Sequence, residues 1–327
     1  MLAEAVEADE SRAWVATLPP GLREEIRGLH ALRPGWNAIA FAYAAALGGL
    51  GWAVLAFPAW PLRIACWLAM GVCVHALGIL MHEGVHGNLF RDRRRDRLAG
   101  LLLGLPHLLP FSAFRVTHLL HHRHNRTALD PDELTNLPDR RWLRVAAFYG
   151  WILGGTLAFV PSVPLIALRR GSPEEKRAAL VDTAVVYGAL AAALAFRPWL
   201  ALELWLVPFA VSCMLGNARG VAEHMLLPKG DPLRQTRTVT SNRAVSFLMC
   251  NLNYHLAHHL FPGVPWYRLQ GLHRRLQPLT APAGAEVWTS YLALMARAIR
   301  AGPFRELHAQ GPGAGHGRRD RKQRLLT

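Results

Sequence analysis

Apolar runs with at most one charge each alternate along this chain with basic, histidine-bearing stretches, and the lengths of the runs set the first expectation. Residues 38–57 (AIAFAYAAALGGLGWAVLAF) carry no charge over 20 positions. At about 1.5 Å per residue this is enough helix to cross a hydrocarbon layer roughly 30 Å thick. Residues 64–80 form a second such run, ending just before His82. Segments 180–196 and 200–216 form a third and a fourth, parted by the turn Arg197-Pro198-Trp199. Two further stretches fit less simply. Residues 145–168 are apolar but interrupted by VPSVP. There Pro161 and Pro164 remove backbone donors, so a re-entrant or interfacial hairpin fits as well as a span. Residues 98–111 end among prolines and are short for a crossing.

Composition strengthens the membrane reading. Of 327 residues, 52% are hydrophobic and only 18% charged, with mean hydropathy +0.14, too apolar for an ordinary soluble domain of this size. The net charge of +15 is placed where a membrane protein needs it, not where nucleic acid would. Arg91, Arg93, Arg94, Arg95 and Arg97 follow the second run, Arg169, Arg170, Lys176 and Arg177 precede the third, and GRRDRKQR closes the chain. The two intervening turns hold one arginine each, Arg63 and Arg197. By the positive-inside rule the basic loops are cytoplasmic. No apolar leader precedes them, so both termini are expected in the cytoplasm. With only three lysines among 37 basic residues, the composition points to a GC-rich bacterial source and an inner-membrane location. Cys66, Cys73, Cys213 and Cys250 lie in or beside apolar runs without CxxC pairing, and reduced thiols are expected.

The candidate chemistry is carried by eight histidines in three short clusters: His82 and His86 in HEGVH, His118, His121 and His122 in HLLHH, and His255, His258 and His259 in HLAHH. Each cluster uses helical spacings that turn its imidazoles to one face. Eight converging imidazoles are too many for one zinc and suit two metal ions. His75, His107 and His273 read as core or interfacial histidines, and His124 as a neighbour of the second cluster rather than a ligand. Glu83 sits about 100° away from the His82/His86 face. Asp130, Asp132 and Glu133 are expected to order their loop, and Glu203 either to snorkel or to link two spans.

Ligands of one centre must share a side of the bilayer, so the number of crossings between the first and third clusters is even. The economical architecture is an all-α integral membrane protein of about four transmembrane helices in two hairpins. A cytoplasmic helical cap, built from 82–144 and 217–285, would hold a di-metal site. Residues 1–36 form a polar cytoplasmic arm, 37–301 the membrane domain, and 302–327 a basic, flexible tail.

HEGVHGNLF, HLLHHRHN and NLNYHLAHHLFPGVPW, in that order with an apolar hairpin between the last two, resemble the membrane fatty acid desaturases and their hydroxylase and carotenoid-oxygenase relatives. The resemblance spans roughly residues 70–276. It implies a non-haem di-iron oxidoreductase that uses O2 and reducing equivalents on an unactivated C–H bond. The eight clustered histidines would be iron ligands, and His224 a ninth. Where the acyl-CoA branch has an asparagine four residues before that ninth histidine, this chain has Gly220. Asn217 stands on another face, so the resemblance favours a lipid-linked acyl chain over acyl-CoA. Ala257 replaces a residue that relatives commonly have polar or acidic. No haem-binding HPGG is present, which implies a separate electron donor, such as a ferredoxin-like protein or cytochrome b5. Trp67, Phe111, Phe114 and Trp266 are candidate walls for the chain.

The expected reaction is insertion of a double bond into an acyl chain, with hydroxylation or ketolation of a lipid or carotenoid as the alternative. A membrane zinc protease with Glu83 as base would leave six histidines without a role. A metal transporter would place its site near the bilayer midplane instead of after the spans.

Overall fold

The computed structural model describes residues 11–133, 136, 138 and 140–309, so most of the expected C-terminal tail lies outside the described residues. Its helices are α1 (Pro20–Leu29), α2 (Ile39–Ala56), α3 (Trp60–Val85), α4 (Arg93–Gly104), α5 (Phe111–His124) and α6 (Arg141–Arg170). There follow α7 (Pro173–Phe196), α8 (Pro198–His224), α9 (Arg243–Leu248), α10 (His255–Leu260), α11 (Leu269–Thr280) and α12 (Tyr291–Ala301). A two-residue parallel ladder pairs β1 (Thr238–Val239) with β2 (Val287–Trp288).

Five helices, α2, α3, α6, α7 and α8, are long and apolar enough to cross a membrane. Local sequence explains their ends. Pro61 opens α3, and α7 starts on a capping box in which Ser172 and Glu175 satisfy each other's backbone. At 26 residues, α3 is about 39 Å long and outruns a hydrocarbon layer of roughly 30 Å. The surplus is nearly two turns, and those turns carry His82 and lead into His86.

α3 is also the centre of the bundle. In its apolar window 61% of residues are buried, against 17% for α2 and α7, whose Phe41, Trp52 and Phe196 point outward. α3 and α8 approach closely at Gly71, where an added Cβ would lie 2.3 Å from Val211 Cγ1. Glu203 is the polar link, not a snorkelling group: it pairs with Arg63 of α3 in a π-helical stretch, Leu202–Leu206. The Arg63 guanidinium also lies 5.3 Å and 5.5 Å from the Trp60 and Trp67 rings.

Three expectations change. The prolines of VPSVP do not break 145–168, because α6 runs continuously through them. Pro164 frees the Val160 carbonyl, and the Tyr187 hydroxyl of α7 donates to it at 3.5 Å. The interruption lies instead at Gly154 (φ −163°, ψ 19°). There the Asn217 amide of α8 enters the helix ladder, its Oδ1 accepting from Thr156 N–H at 2.7 Å and its Nδ2 donating to the Ile152 carbonyl at 3.3 Å. Second, the apolar stretch 98–111, expected to be short for a crossing, is one arm of a bend in which α4 and α5 meet at 93°. Third, the described part of 1–36 is not merely a polar arm. Leu18 and Ile26 are buried, and Glu25 of α1 accepts from Arg275 of α11 at 3.0 Å. All four cysteines are free and buried, as expected.

Candidate metal centre

All nine histidines singled out in the sequence meet at one place. His82, His86, His118, His122 and His258 form one group, with ligand atoms within 4.8 Å of one another. His121, His224 and His259 form a second. His255 joins it, with its Nε2 2.7 Å from His224 Nε2 and 3.1 Å from His259 Nε2. The groups touch where the His122 and His259 rings stack at 4.3 Å. α5 serves both, because successive residues His121 and His122 diverge around the helix.

The donors behave as metal ligands do. His86 and His118 face each other Nε2 to Nε2 at 3.0 Å, and His122 and His258 at 3.1 Å. Neither nitrogen of His82 has a hydrogen-bond partner although the residue is buried. Imidazole nitrogens crowded in this way share a cation more readily than protons. Burial pushes His86 down to about 3, and burial with mutual repulsion holds His258 and His259 well below the ordinary imidazole range. Neutral nitrogens with free lone pairs result. The nine-nitrogen set therefore fits two imidazole-binding transition-metal ions.

Carboxylates stand behind some of these rings. His121 Nδ1 lies 3.0 Å from Asp130 Oδ1, and burial of that ring is outweighed by Asp130, Asp132 and Glu133, which push it up to about 9. Asp130 also accepts from the backbone N–H groups of Arg126 and Asp132, so it orders the loop and orients a histidine together. Glu223 accepts both Arg219 nitrogens at 2.8 and 2.7 Å and lies 3.4 Å from His255 Nδ1. Glu83 divides its two oxygens, with Oε1 3.7 Å from His82 Nδ1. Its Oε2 accepts Trp266 N–H at 2.8 Å and Asn88 Nδ2 at 3.3 Å, and Asn88 also reaches the Pro262 carbonyl. Glu83 thus ties the first cluster to the loop after the third.

Several supports have no signature in the sequence. Arg126 donates to the carbonyls of His224 and Leu227, while fully buried Arg237 donates to those of Ala222, Met225 and Leu307. Two guanidiniums thereby satisfy the C-terminal carbonyls of α8 directly behind His224. Asn253, also fully buried, donates to the Val239 carbonyl and to Ser246 Oγ, pinning the approach to α10. Only its place in the Asn-Tyr pair could have drawn attention to it.

Three cavities reach the centre, of which one of about 720 Å³ touches it only through His86. An inner one of about 200 Å³ is lined by His82, His118, His121, His224 and His255, and by Phe114, Phe159 and Val160. His75 and His107 also line it, so these are wall residues and not simple core. An outer one of about 520 Å³ shares Trp151, Gly220, His121 and His224 with the inner one. Gly220 leaves room for Trp151: a Cβ there would lie 3.1 Å from its Nε1. Of the four expected walls, Phe114 lines the inner cavity. Trp67 packs on the α2–α3 side, Phe111 fills the space beside Gly100, and Trp266 packs edge-on against Trp36. His273 packs on Tyr254 at 5.2 Å, as a core histidine should.

A helical bundle with long apolar spans and a nine-histidine centre at the end of an internal cavity defines a membrane oxidoreductase class. The fatty acid desaturase family profile matches residues 58–291, and the chain belongs to that family. Similar proteins include the sn-1 oleoyl-lipid 12-desaturase of Arthrospira platensis, 24% identical over 68% of this chain and 70% of that one. The sn-2 acyl-lipid omega-3 desaturase (ferredoxin), chloroplastic, of Arabidopsis thaliana is 26% identical over 71% of this chain and 57% of its own. The beta-carotene ketolase of Paracoccus sp. (strain N81106 / MBIC 01143) is 27% identical over 62% and 74%. The chain is an oxidoreductase of the desaturase type.

Proposed function

We propose that this protein is an O2-dependent di-iron desaturase that inserts a double bond into a lipid-linked fatty acyl chain. The observation that carries the reading is the five-plus-four division of nine converging imidazoles, five of which line the inner cavity together with Phe114, Phe159 and Val160. His82, His86, His118, His122 and His258 would hold one iron, and His121, His224, His255 and His259 the other. When bound, the irons supply the O2-dependent oxidation of a C–H bond, with electrons from a separate donor. The remaining work belongs to the chain. Asp130 holds the His121 proton on Nδ1, so that an iron would replace only the proton on Nε2. Phe114, Phe159 and Val160 hold the acyl chain against the centre and keep water from it. The ferredoxin in the Arabidopsis relative's name supports a ferredoxin-like donor, with cytochrome b5 as the other candidate.

Metalloprotease chemistry is disfavoured, since it would leave six of the clustered histidines without a role, and Glu83 is fully buried with its Oε2 engaged by Trp266 N–H and Asn88 Nδ2. The ketolase relative keeps one second reading in play, oxygenation of a lipid or carotenoid. A host expressing the protein with a suitable reductase should accumulate acyl chains lighter by two hydrogens, only in O2. Chains heavier by one oxygen would make it a hydroxylase, and altered carotenoids beside unchanged acyl chains would move the substrate class.

For topology we propose four crossings, α2, α3, α7 and α8, in a bacterial inner membrane with the cap and both termini cytoplasmic. α6 then lies along the interface. In support, its first half is tied to α12 through Tyr149 and the Ile299 carbonyl, and its last residues adjoin Glu174, which pairs with Arg93. Reporter fusions at Arg95 and Ser172 should both read cytoplasmic, and one at Pro198 the far side. A far-side signal at Ser172 overturns this arrangement.

A further inference from the structure

The inner cavity is not a plain hydrocarbon tube. His75 is only 5% exposed, and neither ring nitrogen has a hydrogen-bond partner. The Ser212 carbonyl comes near the ring outside hydrogen-bonding geometry, which leaves at least one nitrogen with nothing to bind. His107 is 6% exposed, and its Nδ1 is likewise without a partner. Both line the same cavity as the centre. They also meet at one face of α3: His75 lies on it, Gly78 is three residues beyond, and the His107 ring, from the turn after α4, fills the space that the glycine's missing side chain leaves, 2.8 Å from an added Cβ. His82 lies seven residues, about 10 Å, further along that face. Buried polar atoms without partners are costly, and two in one wall point to a ligand atom that completes them.

We propose that His75 and His107 form a polar subsite that recognises an oxygen function, a hydroxyl or carbonyl, borne by the substrate roughly 10 Å from the carbon that is oxidised. The neutral imidazole of His75 offers one donor and one acceptor, which a hydroxyl matches in both senses and a carbonyl in one. An apolar chain ending in such an oxygen would fill the cavity where a plain chain leaves both rings unsatisfied. The inference rests on the inner cavity being the substrate site of the proposed reaction. Two sources carry this chemistry, an ω-hydroxylated acyl chain and a hydroxylated carotenoid ring.

The test is equilibrium binding to the metal-loaded protein in nanodiscs. The probes are a phosphatidylcholine with an ω-hydroxylated saturated chain, the same lipid with a plain chain, a dihydroxylated carotenoid and its hydrocarbon parent. One of the two oxygenated probes should bind about tenfold more tightly than its parent, the worth of one net hydrogen bond. Which one does so identifies the source. His75→Phe and His107→Phe should each bring the ratio close to one with metal content retained. His75→Gln, which keeps a donor and an acceptor, should preserve part of it and serves if the Phe variant does not fold. Equal binding of both pairs, or a preference that survives His75→Phe, overturns the subsite. If the subsite were an ordered water only, both parents would bind as tightly as the oxygenated probes. A double bond found in plain chains despite equal binding leaves the reaction standing without the subsite. Selective binding with no product in O2 leaves the subsite standing without the reaction.

Discussion

The two histidine groups solve the same problem differently. The five-histidine group surrounds its centre with neutral rings, and neither His82 nor the Nδ1 of His258 has a hydrogen-bond partner. The four-histidine group has one nitrogen fewer and two carboxylates closer behind it, Asp130 3.0 Å from His121 and Glu223 3.4 Å from His255, against one in the five-histidine group, Glu83 3.7 Å from His82. A carboxylate that holds the outer proton of a ligating ring fixes its tautomer and makes the inner nitrogen more basic. Charge in the outer layer thus compensates for ligand number. His121 and His224 of the four-histidine group line both the inner and the outer cavity, whereas in the five-histidine group His82 and His118 line the inner one and His86 a separate one.

The largest effect should come from removing a ligand. His258→Ala in the first group and His121→Ala in the second should each abolish product formation, with metal falling from about two irons per chain to about one. Elemental analysis of purified protein decides it, and one zinc with no iron in the wild type would break the comparison at its root. Next, Asp130→Asn should weaken metal retention or activity about 10–100-fold, measured by competition with a chelator. Equal loss from both groups would show that the carboxylate does not favour the second. Gly220→Ala should lower affinity for the acyl chain by a few-fold, about 1 kcal/mol, by displacing Trp151 at the four-histidine side, with both metals retained. A binding isotherm on the loaded protein reads this directly. The smallest change belongs to Glu83→Gln, expected within about threefold of wild type because a glutamine oxygen still accepts from Trp266 N–H. Near-complete loss with metals intact would return Glu83 to the role of a base.

The histidine clusters were legible because helical spacing is local. His82 and His86 are four residues apart, and His118, His121 and His122 lie within two turns, so the sequence itself places them on a face. Their supports are not local. Arg237 meets the carbonyls of α8 and of Leu307, and Glu83 meets Trp266 across 183 residues, contacts that no spacing rule anticipates. His224 stood alone in the sequence and was reached only through family resemblance. VPSVP misled for a related reason. The cost of a proline depends on whether another helix satisfies the freed carbonyl, and Tyr187 lies on the next helix. Nothing near Gly154 announced that Asn217 would enter the ladder there.

His122 and His258, which face each other in the five-histidine group, are 136 residues apart in the chain. At roughly 5–20 residues per second of synthesis, about 7–27 s separate their appearance from the ribosome. For that interval the first two clusters are a partial binding site, open to whichever divalent ion is at hand. Affinity alone would favour copper or zinc over iron. Asn253 pins α10 through Val239 and Ser246, all of them late in the chain, so an ion held by the first two clusters before that segment is made would meet an incomplete set of imidazoles.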